Sequence, residues 1–174
     1  MSFQVRQATS SDVAQMHSMI IELAEFEKAV DEVVATEEQL HQALFGGTSF
    51  SNSPANTPSG APALYAHVID DPENPGQLAG MAIWFLNYST WQGEYGIYLE
   101  DLYVRPQFRG HGLGKSLLKA LAKICAARGY PRFQWWVLHW NEQALDVYKS
   151  IGAVPMDEWI VYRLTGDKLT QFAN

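Results

Sequence analysis

The chain has 174 residues, enough for one domain with a hydrophobic core and too few for two ordinary domains. A hydrophobic content of 47% with 13% aromatic residues is typical of a packed globular protein and argues against disorder over most of the length. The formal net charge of -7 argues against nucleic-acid binding, because phosphates need clustered Lys and Arg. That charge permits a cationic ligand without requiring one.

The sequence lacks several patterns whose absence determines the compartment and chemistry that we expect. Cys125 is the only cysteine, so no intrachain disulfide can form, and its apolar neighbours indicate a buried thiol rather than a nucleophile. The first residues lack a basic region followed by an apolar one, and no apolar run approaches the ~18 residues of a membrane span. No His/Cys/Asp spacing suggests a metal site. We therefore expect a cytoplasmic protein without a membrane, nucleic-acid or metal partner.

The N-terminal part predicts a strand, two helices and a loop. A β-type run at 3–6 precedes an approximate capping box at Thr9, and apolar residues at helical spacing then continue to about residue 30. Thr36 repeats the capping pattern before a shorter helix. Residues 46–62 are rich in Gly, Ser, Pro and Asn, which predicts an exposed, mobile loop within a single domain over 1–174.

The C-terminal part alternates between strand and helix patterns. Strands are predicted at 63–69, 78–86, 95–104, 132–138 and 159–164. Turn residues between the first two predict a hairpin. Helices are predicted at 113–127, with Gly129 as its stop, and after an Asn141 cap. This order of elements indicates a mixed α/β sheet with helices on both faces.

The most informative segment is the junction at 104–116 between a strand and an amphipathic helix. It carries glycines at alternate positions: Gly110, Gly112 and Gly114. Glycines so placed let backbone N–H groups turn toward one point, and the helix start adds free N–H groups and its positive dipole end. Such a turn suits a pyrophosphate, to which Arg109 or Lys115 can add charge.

Two other glycine-rich motifs fail on spacing. The P-loop pattern needs a glycine at position 109, which is Arg109, and the dinucleotide pattern needs one at position 115, which is Lys115. A glycine-rich helix start without a ligand is the remaining alternative. The strand-to-helix position favours the anion site over it.

The run from Arg109 to Gly114 resembles the R/Q-x-x-G-x-G/A signature of the GNAT superfamily of acyl-CoA-dependent N-acetyltransferases. Outside 46–62 the chain looks like the diamine (spermidine/spermine) and thialysine N-acetyltransferases, most clearly at 22–27, 98–104, 140–142 and 148–153. The resemblance implies the GNAT fold, a central mixed sheet of about six or seven strands, splayed in the middle, with helices on both faces. It also implies acetyl-CoA as cosubstrate and a homodimer in which the C-terminal segment takes part.

Acetyl transfer to an amine needs a base for the ammonium, stabilisation of charge on the thioester oxygen, and an acid for the departing thiolate. The resemblance implies that Tyr148 is the general acid. From its spacing alone, a tyrosine packed in an amphipathic helix would be the better interpretation. The family match favours the catalytic role.

Glu100 and Asp101 are adjacent carboxylates in an otherwise apolar and aromatic strand. Burying them is costly unless they are solvated or paired, and they point to opposite faces unless a bulge intervenes. Structural hydrogen bonding is an alternative role for both. The resemblance implies that Glu100 is the base, acting through water, and that Asp101 binds the substrate amine.

The resemblance also implies that a backbone N–H at Leu102 or Val104 meets the thioester oxygen and that the pantetheine arm lies along this strand. The positions expected to contact CoA are Leu102, Tyr103, Val104, Arg109, Gly110, His111, Gly112, Leu113, Gly114, Lys115, Asn141 and Ala144. Most of them lie in the glycine-rich junction and the strand before it.

The acceptor is expected to be a small cationic amine: a polyamine, a diamine, or a thialysine- or lysine-like amine. The positions expected to line its site are Phe26, Glu27, Trp91, Asp101, Trp135 and Glu158. Aromatic faces and carboxylates together suit a flexible cation, although Glu27 alone fits a solvated helix face equally well. Phe26 and His139 depart from the tyrosine and carboxylate that relatives tend to have, which weakens the case for spermidine or spermine.

Two alternatives to this function remain open. The first is a GNAT enzyme for another acceptor, such as an amino acid, an aminoglycoside or a protein amine. The second is a CoA-binding module without catalysis.

Overall fold

The structure, a computed structural model, describes residues 3–46 and 62–174. They form two compact units, one up to Trp136 and the other from Val137 to Asn174. The predicted 46–62 loop lies almost wholly outside the described residues. The expectation of a single domain stays a prediction.

The first helices begin where their caps predict. Strand β1, Val5–Gln7, leads through a capping box and a short 3-10 turn into helix α1, Val13–Glu27. Helix α1 ends before the predicted residue 30, because Lys28 adopts φ 61° in the left-handed region and closes the helix. Helix α2, Glu37–Phe45, begins with the predicted capping box at Thr36.

The sheet of the first unit has five strands in the order β1-β2-β3-β4-β5. The strands after α2 are β2, Tyr65–Asp70, β3, Leu78–Ser89, β4, Glu94–Val104, and β5, Arg132–Trp135. All neighbours are antiparallel except β4 and β5, which are parallel. The crossover between them is helix α3, Leu113–Arg128, which ends at Gly129 in a left-handed conformation. The predicted hairpin and mixed sheet are confirmed.

Helices cover both faces of this sheet. Residues of α1 and α2 pack on alternate sheet positions, among them Met81 and Ile83. Gly80 faces the other way, and a Cβ there would lie 3.5 Å from Leu117 of α3. Helices α1 and α2 therefore cover one face and α3 the other.

Two expectations about the C-terminal part are wrong. Residues 159–164 form no strand, so the sheet has fewer than the expected six or seven strands. The second unit contains helix α4, Glu142–Ser150, and helix α5, Gly166–Ala173, where a short tail was expected. Among the described residues, no strand pairs with 159–164, and a strand needs a partner for its backbone groups.

Candidate functional site

The junction between β4 and α3 is an open turn. Gly110 and Gly112 have φ of 80° and 74°, left-handed values that favour glycine, and Gly112 is the N-cap of α3. An added Cβ at Gly110, Gly112 or Gly114 would meet nothing within 4 Å. Among the described residues, the backbone N–H groups from Gly110 to Lys115 donate no hydrogen bond. The turn therefore presents free donors at a helix start to open space, an arrangement that fits a diphosphate.

The side chains of this turn differ in what they can contribute to anion binding. His111 and Lys115 are exposed, whereas Leu113 is buried in the core and offers its backbone alone. Ser116 donates its hydroxyl to the Gly112 carbonyl at 3.1 Å, which fixes the first turn of α3. The backbone, more than the side chains, defines this candidate anion site.

A β-bulge at Glu100 sets the directions of the two adjacent carboxylates. The register passes from Ile83 opposite Asp101 to Trp84 opposite Leu99, so Glu100 has no partner on β3. Ile83 packs in the core beneath α1, and Asp101 therefore faces α1 as well. Without the bulge, Asp101 would share the α3 face with Leu99.

Asp101 lies in an acidic and partly buried environment. Its burial, together with the negative charges of Glu100 and Glu27, raises the pKa of Asp101 to about 7. Glu27 is the last residue of α1, and burial raises the pKa of its carboxyl too. Glu100 itself is exposed. The α1 side of β4 thus holds two carboxyl groups that a bound cation would stabilise in their charged form.

Arg109 connects the glycine turn to α1. Its guanidinium carbon lies 5.2 Å from the centroid of the Phe26 ring and 5.7 Å from that of Tyr103, within cation–π range. Its Nε donates to the Val104 carbonyl at 3.0 Å. A residue expected at the CoA and a residue expected at the acceptor are therefore in direct contact.

Sequence reasoning missed Arg105, which follows β4 directly. Its Nη2 lies 2.8 Å from the Glu22 carboxylate on α1, and its Nε donates to the same group at 3.1 Å. Its Nη1 donates to the Leu78 carbonyl at 3.1 Å and to Gln15 at 3.0 Å. Arg105 thus joins α1, β3 and β4 beside the glycine turn. The partner Glu22 is 83 residues away in the chain, so no local pattern marks the pair.

Replacing Arg105 by methionine is expected to lower the free energy of unfolding by about 2 kcal/mol, because charge-assisted hydrogen bonds to the partly buried Glu22 are lost. Arg105→Lys is the matched control and should lose less, since it keeps the charge but not the planar fork. Urea unfolding followed by circular dichroism measures both. Equal midpoints for Arg105→Met and the parent would show that the pair contributes nothing.

The two tryptophans expected at the acceptor do not lie beside Asp101 in this unit. Trp91 lies in the turn between β3 and β4 and is 90% exposed. The run of β4 from this turn to Asp101 spans about 20 Å at about 3.3 Å per residue. Trp135 pairs with Leu99 and so faces the α3 side of the sheet. The length of the hairpin separates Trp91 from Asp101, and the bulge places Trp135 and Asp101 on opposite faces of the sheet.

The second unit carries the remaining expected site residues. The Asn141 side chain accepts a hydrogen bond from the Ala144 N–H at 3.3 Å, which confirms the predicted cap of α4. Tyr148 lies in the second turn of that helix and is half-buried, and Glu158 is exposed beyond it. The helix expected to carry the general acid is therefore formed.

The described residues carry few features of other functional classes. No helix among them has the length and apolar character that crossing a membrane requires. Across the same residues, no cluster of three or more His, Cys, Asp or Glu side chains is arranged to hold a metal ion. Cys125 is buried, as expected, and burial raises the pKa of its thiol.

Comparison with known protein families identifies the family of this chain. Residues 29–153 match the Acetyltransferase (GNAT) family. The matched range includes the glycine turn, the bulged strand and Tyr148.

Individual relatives agree with this family. A thialysine N-epsilon-acetyltransferase of Mus musculus is 36% identical, covering 99% of this chain and 98% of that protein. An L-ornithine N5-acetyltransferase of Arabidopsis thaliana is 34% identical, covering 95% of this chain and 86% of that protein. The solved structure of an integron cassette protein from the mobile metagenome of V. cholerae has a TM-score of 0.74 at 24% identity, covering 99% of this chain and 98% of that one. This last similarity, at 24% identity, supports the fold alone.

Proposed function

The chain belongs to the GNAT acetyltransferase family, and we propose that it moves an acetyl group from acetyl-CoA to the primary amine of a small cationic molecule. Relatives at 34–36% identity are named for thialysine and ornithine, both of which carry an amine on a flexible side chain. Polyamines, diamines and thialysine- or lysine-like amines are the acceptor class we propose for this chain.

The glycine turn and the end of β4 would hold the CoA. The free N–H groups from Gly110 to Lys115 supply donors for the diphosphate. Strand β5 pairs with β4 only from Gly96 to Leu99, so the later residues of β4 keep an edge that β5 does not cover. We propose that this edge receives the pantetheine arm and that the Leu102 or Val104 N–H meets the thioester oxygen. Bound acetyl-CoA supplies the acetyl group as a thioester.

The observation that carries the acceptor proposal is the pair of partly buried carboxyl groups on the α1 side of β4. The charges that act on Asp101 are those of Glu100 and Glu27, and both are negative. Burying like charges is unfavourable unless a cation joins them. Phe26, which is 37% exposed, adds an aromatic surface next to Glu27. A protonated amine would satisfy this site.

The remaining roles come from the family resemblance. Asn141 and Ala144 are proposed to contact the CoA, and Glu158 to contribute to the acceptor site. Tyr148 is proposed as the general acid, because a phenol stays protonated at neutral pH and can donate to a departing sulfur. The resemblance points to Glu100 as a base through water, and that assignment stays a prediction.

We also propose that the protein is a cytoplasmic homodimer. Several large apolar side chains of the second unit are exposed, and exposed apolar side chains that cluster on a surface mark protein contacts. Among them are Val154, Met156, Trp159 and Ile160. Light scattering after gel filtration should give twice the chain mass of 19.5 kDa, and a monomer at every concentration would contradict the proposal.

A thiol-release screen with acetyl-CoA tests the function. The panel should contain polyamines, diamines, ornithine, lysine and thialysine, with a lysine-containing peptide and an aminoglycoside as competitors. We expect the small flexible amines to be acetylated with the highest kcat/KM. Activity on the peptide or the aminoglycoside with none on the small amines would overturn the proposed acceptor class.

A further inference from the structure

We propose that a cavity between the C-terminal end of α3 and strands β1, β2 and β3 binds a small aromatic carboxylate, meaning a single ring that carries one carboxylate group. This space, the α3 cavity, is lined by residues of the first unit alone. It takes no part in the acetyl transfer proposed above, so neither proposal depends on the other.

The register of the sheet places the α3 cavity on the face that α3 covers. Gly80 faces α3, and Trp84 lies four residues further along the same strand, so it points to the same side. Tyr65 on β2 is directly opposite Trp84 and shares that face. Ile124 and Arg128, one helical turn apart on α3, line the cavity from above. The cavity and the carboxyl groups that face α1 are therefore on opposite sides of the sheet.

The size and the apolar walls of the α3 cavity suit one aromatic ring. Its volume is about 230 Å³. In another protein a cavity of about 150 Å³ holds benzene, so there is room here for a ring and a small polar substituent. Leu86 and Ile124 contribute aliphatic surface. The rings of Tyr65 and Trp84 stack with their centroids 4.6 Å apart, which gives the cavity a firm aromatic wall.

His67 supplies a hydrogen-bond donor to the cavity. The Trp84 Nε1–H donates to His67 Nδ1 at 3.2 Å, and since an indole nitrogen can only donate, the proton of the neutral imidazole is on Nε2. Burial lowers the pKa of His67 and so favours this neutral form. Among the described residues, His67 Nε2 has no hydrogen-bond partner, and it is not one of their fully buried polar atoms. It can therefore donate to a ligand.

Arg128 gives the α3 cavity its charge. It is the last residue of α3 and is exposed, and its side chain forms no ion pair or hydrogen bond with any residue that the structure describes. No Asp or Glu of the described ranges lines the cavity. A guanidinium binds a carboxylate through two parallel hydrogen bonds. The free cation and the His67 donor beside an aromatic wall thus favour a ring with a carboxylate.

The α3 cavity is separate from the glycine turn that we propose for CoA. Helix α3 has 16 residues, so its first residue, Leu113, and its last, Arg128, are about 22 Å apart along the axis. The glycine turn lies at the first end and the cavity at the other. An aromatic carboxylate and CoA would therefore bind at the same time without contact.

Benzoate is the probe that tests this proposal, with benzamide as its uncharged counterpart and acetate as the carboxylate without a ring. The indole N–H signal of Trp84 in the ¹⁵N-labelled full chain, identified by its absence from Trp84→Phe, reports binding. We expect benzoate to shift this signal with a Kd at or below about 1 mM and the other two to bind at least about 10-fold more weakly. A Trp84 signal that does not respond to millimolar benzoate would overturn the proposal, and equal binding of benzamide would overturn the carboxylate assignment.

Arg128→Met separates a specific site from general attraction of an anion. It should weaken benzoate binding by about 10-fold, since the charge-assisted hydrogen bonds are lost. Lys123→Met is the matched control, because Lys123 is exposed on the same helix, does not line the cavity and loses the same charge. Equal weakening in both variants, or displacement of benzoate by CoA, would show that benzoate binds elsewhere. None of these measurements uses acetyl transfer, so a failure of the proposed function would leave them unaffected.

Discussion

Replacing Tyr148 by phenylalanine is expected to lower kcat for acetyl transfer by about 100- to 10,000-fold, the range that a positioned general acid contributes. The thiolate of CoA would then leave without a proton donor, whereas binding of CoA, for which we propose the backbone groups of the glycine turn, should be unchanged. Thiol release with a saturating amine measures kcat, and calorimetry measures CoA affinity. The phenyl ring keeps the apolar packing of α4, so a fall in kcat would report the hydroxyl.

Tyr162→Phe is the matched control for this variant. Tyr162 belongs to the same unit and is 90% exposed, so loss of its hydroxyl should leave both kcat and stability as in the parent. Equal rates for Tyr148→Phe and an active parent would show that Tyr148 has a packing role. If the parent and Tyr148→Phe were equally slow with every amine, a CoA-binding module without catalysis would be favoured.

The parts of the fold that sequence alone predicts are those with local causes. The capping box at Thr36 and the left-handed stop at Gly129 depend on side chains and backbone within a few residues, and the structure has both. The glycine turn belongs to the same class, since alternate glycines before an amphipathic helix need no distant partner. The GNAT signature is contained in that turn, which explains why the family could be inferred from the sequence.

Features with distant causes escaped prediction. Arg105 pairs with a residue 83 positions earlier, and nothing near either residue indicates the contact. The bulge at Glu100 depends on how β4 pairs with β3. The sequence could therefore indicate that a bulge would change the directions of the two carboxylates, but not that a bulge forms. Residues 159–164 have the composition of a strand, yet within the described chain they have no partner. The composition of a segment indicates its tendency, and its neighbours decide whether it becomes a strand.

Gly114 offers the sharpest test of the CoA site, because the protein itself does not require a glycine there. Gly114 is the second residue of α3, its φ lies outside the left-handed region, and an added Cβ there would meet no atom within 4 Å. In a helix, glycine is less favourable than alanine by about 1 kcal/mol. The missing side chain therefore brings no benefit to the free protein. It does leave room for a bound group to approach the backbone.

Gly114→Leu is expected to keep or raise the melting temperature while weakening CoA binding by about 100-fold. The side chain would fill the space over the turn, and loss of two charge-assisted hydrogen bonds to the diphosphate, at about 1.5 kcal/mol each, corresponds to that factor. Gly114→Ala is the matched control, since the family signature accepts alanine at this position, and its CoA affinity should stay close to that of the parent. Calorimetric titration with CoA and thermal melting measure the two effects separately. Stability that rises while affinity falls would mean that the glycine serves the ligand, whereas unchanged affinity in Gly114→Leu would place the diphosphate elsewhere.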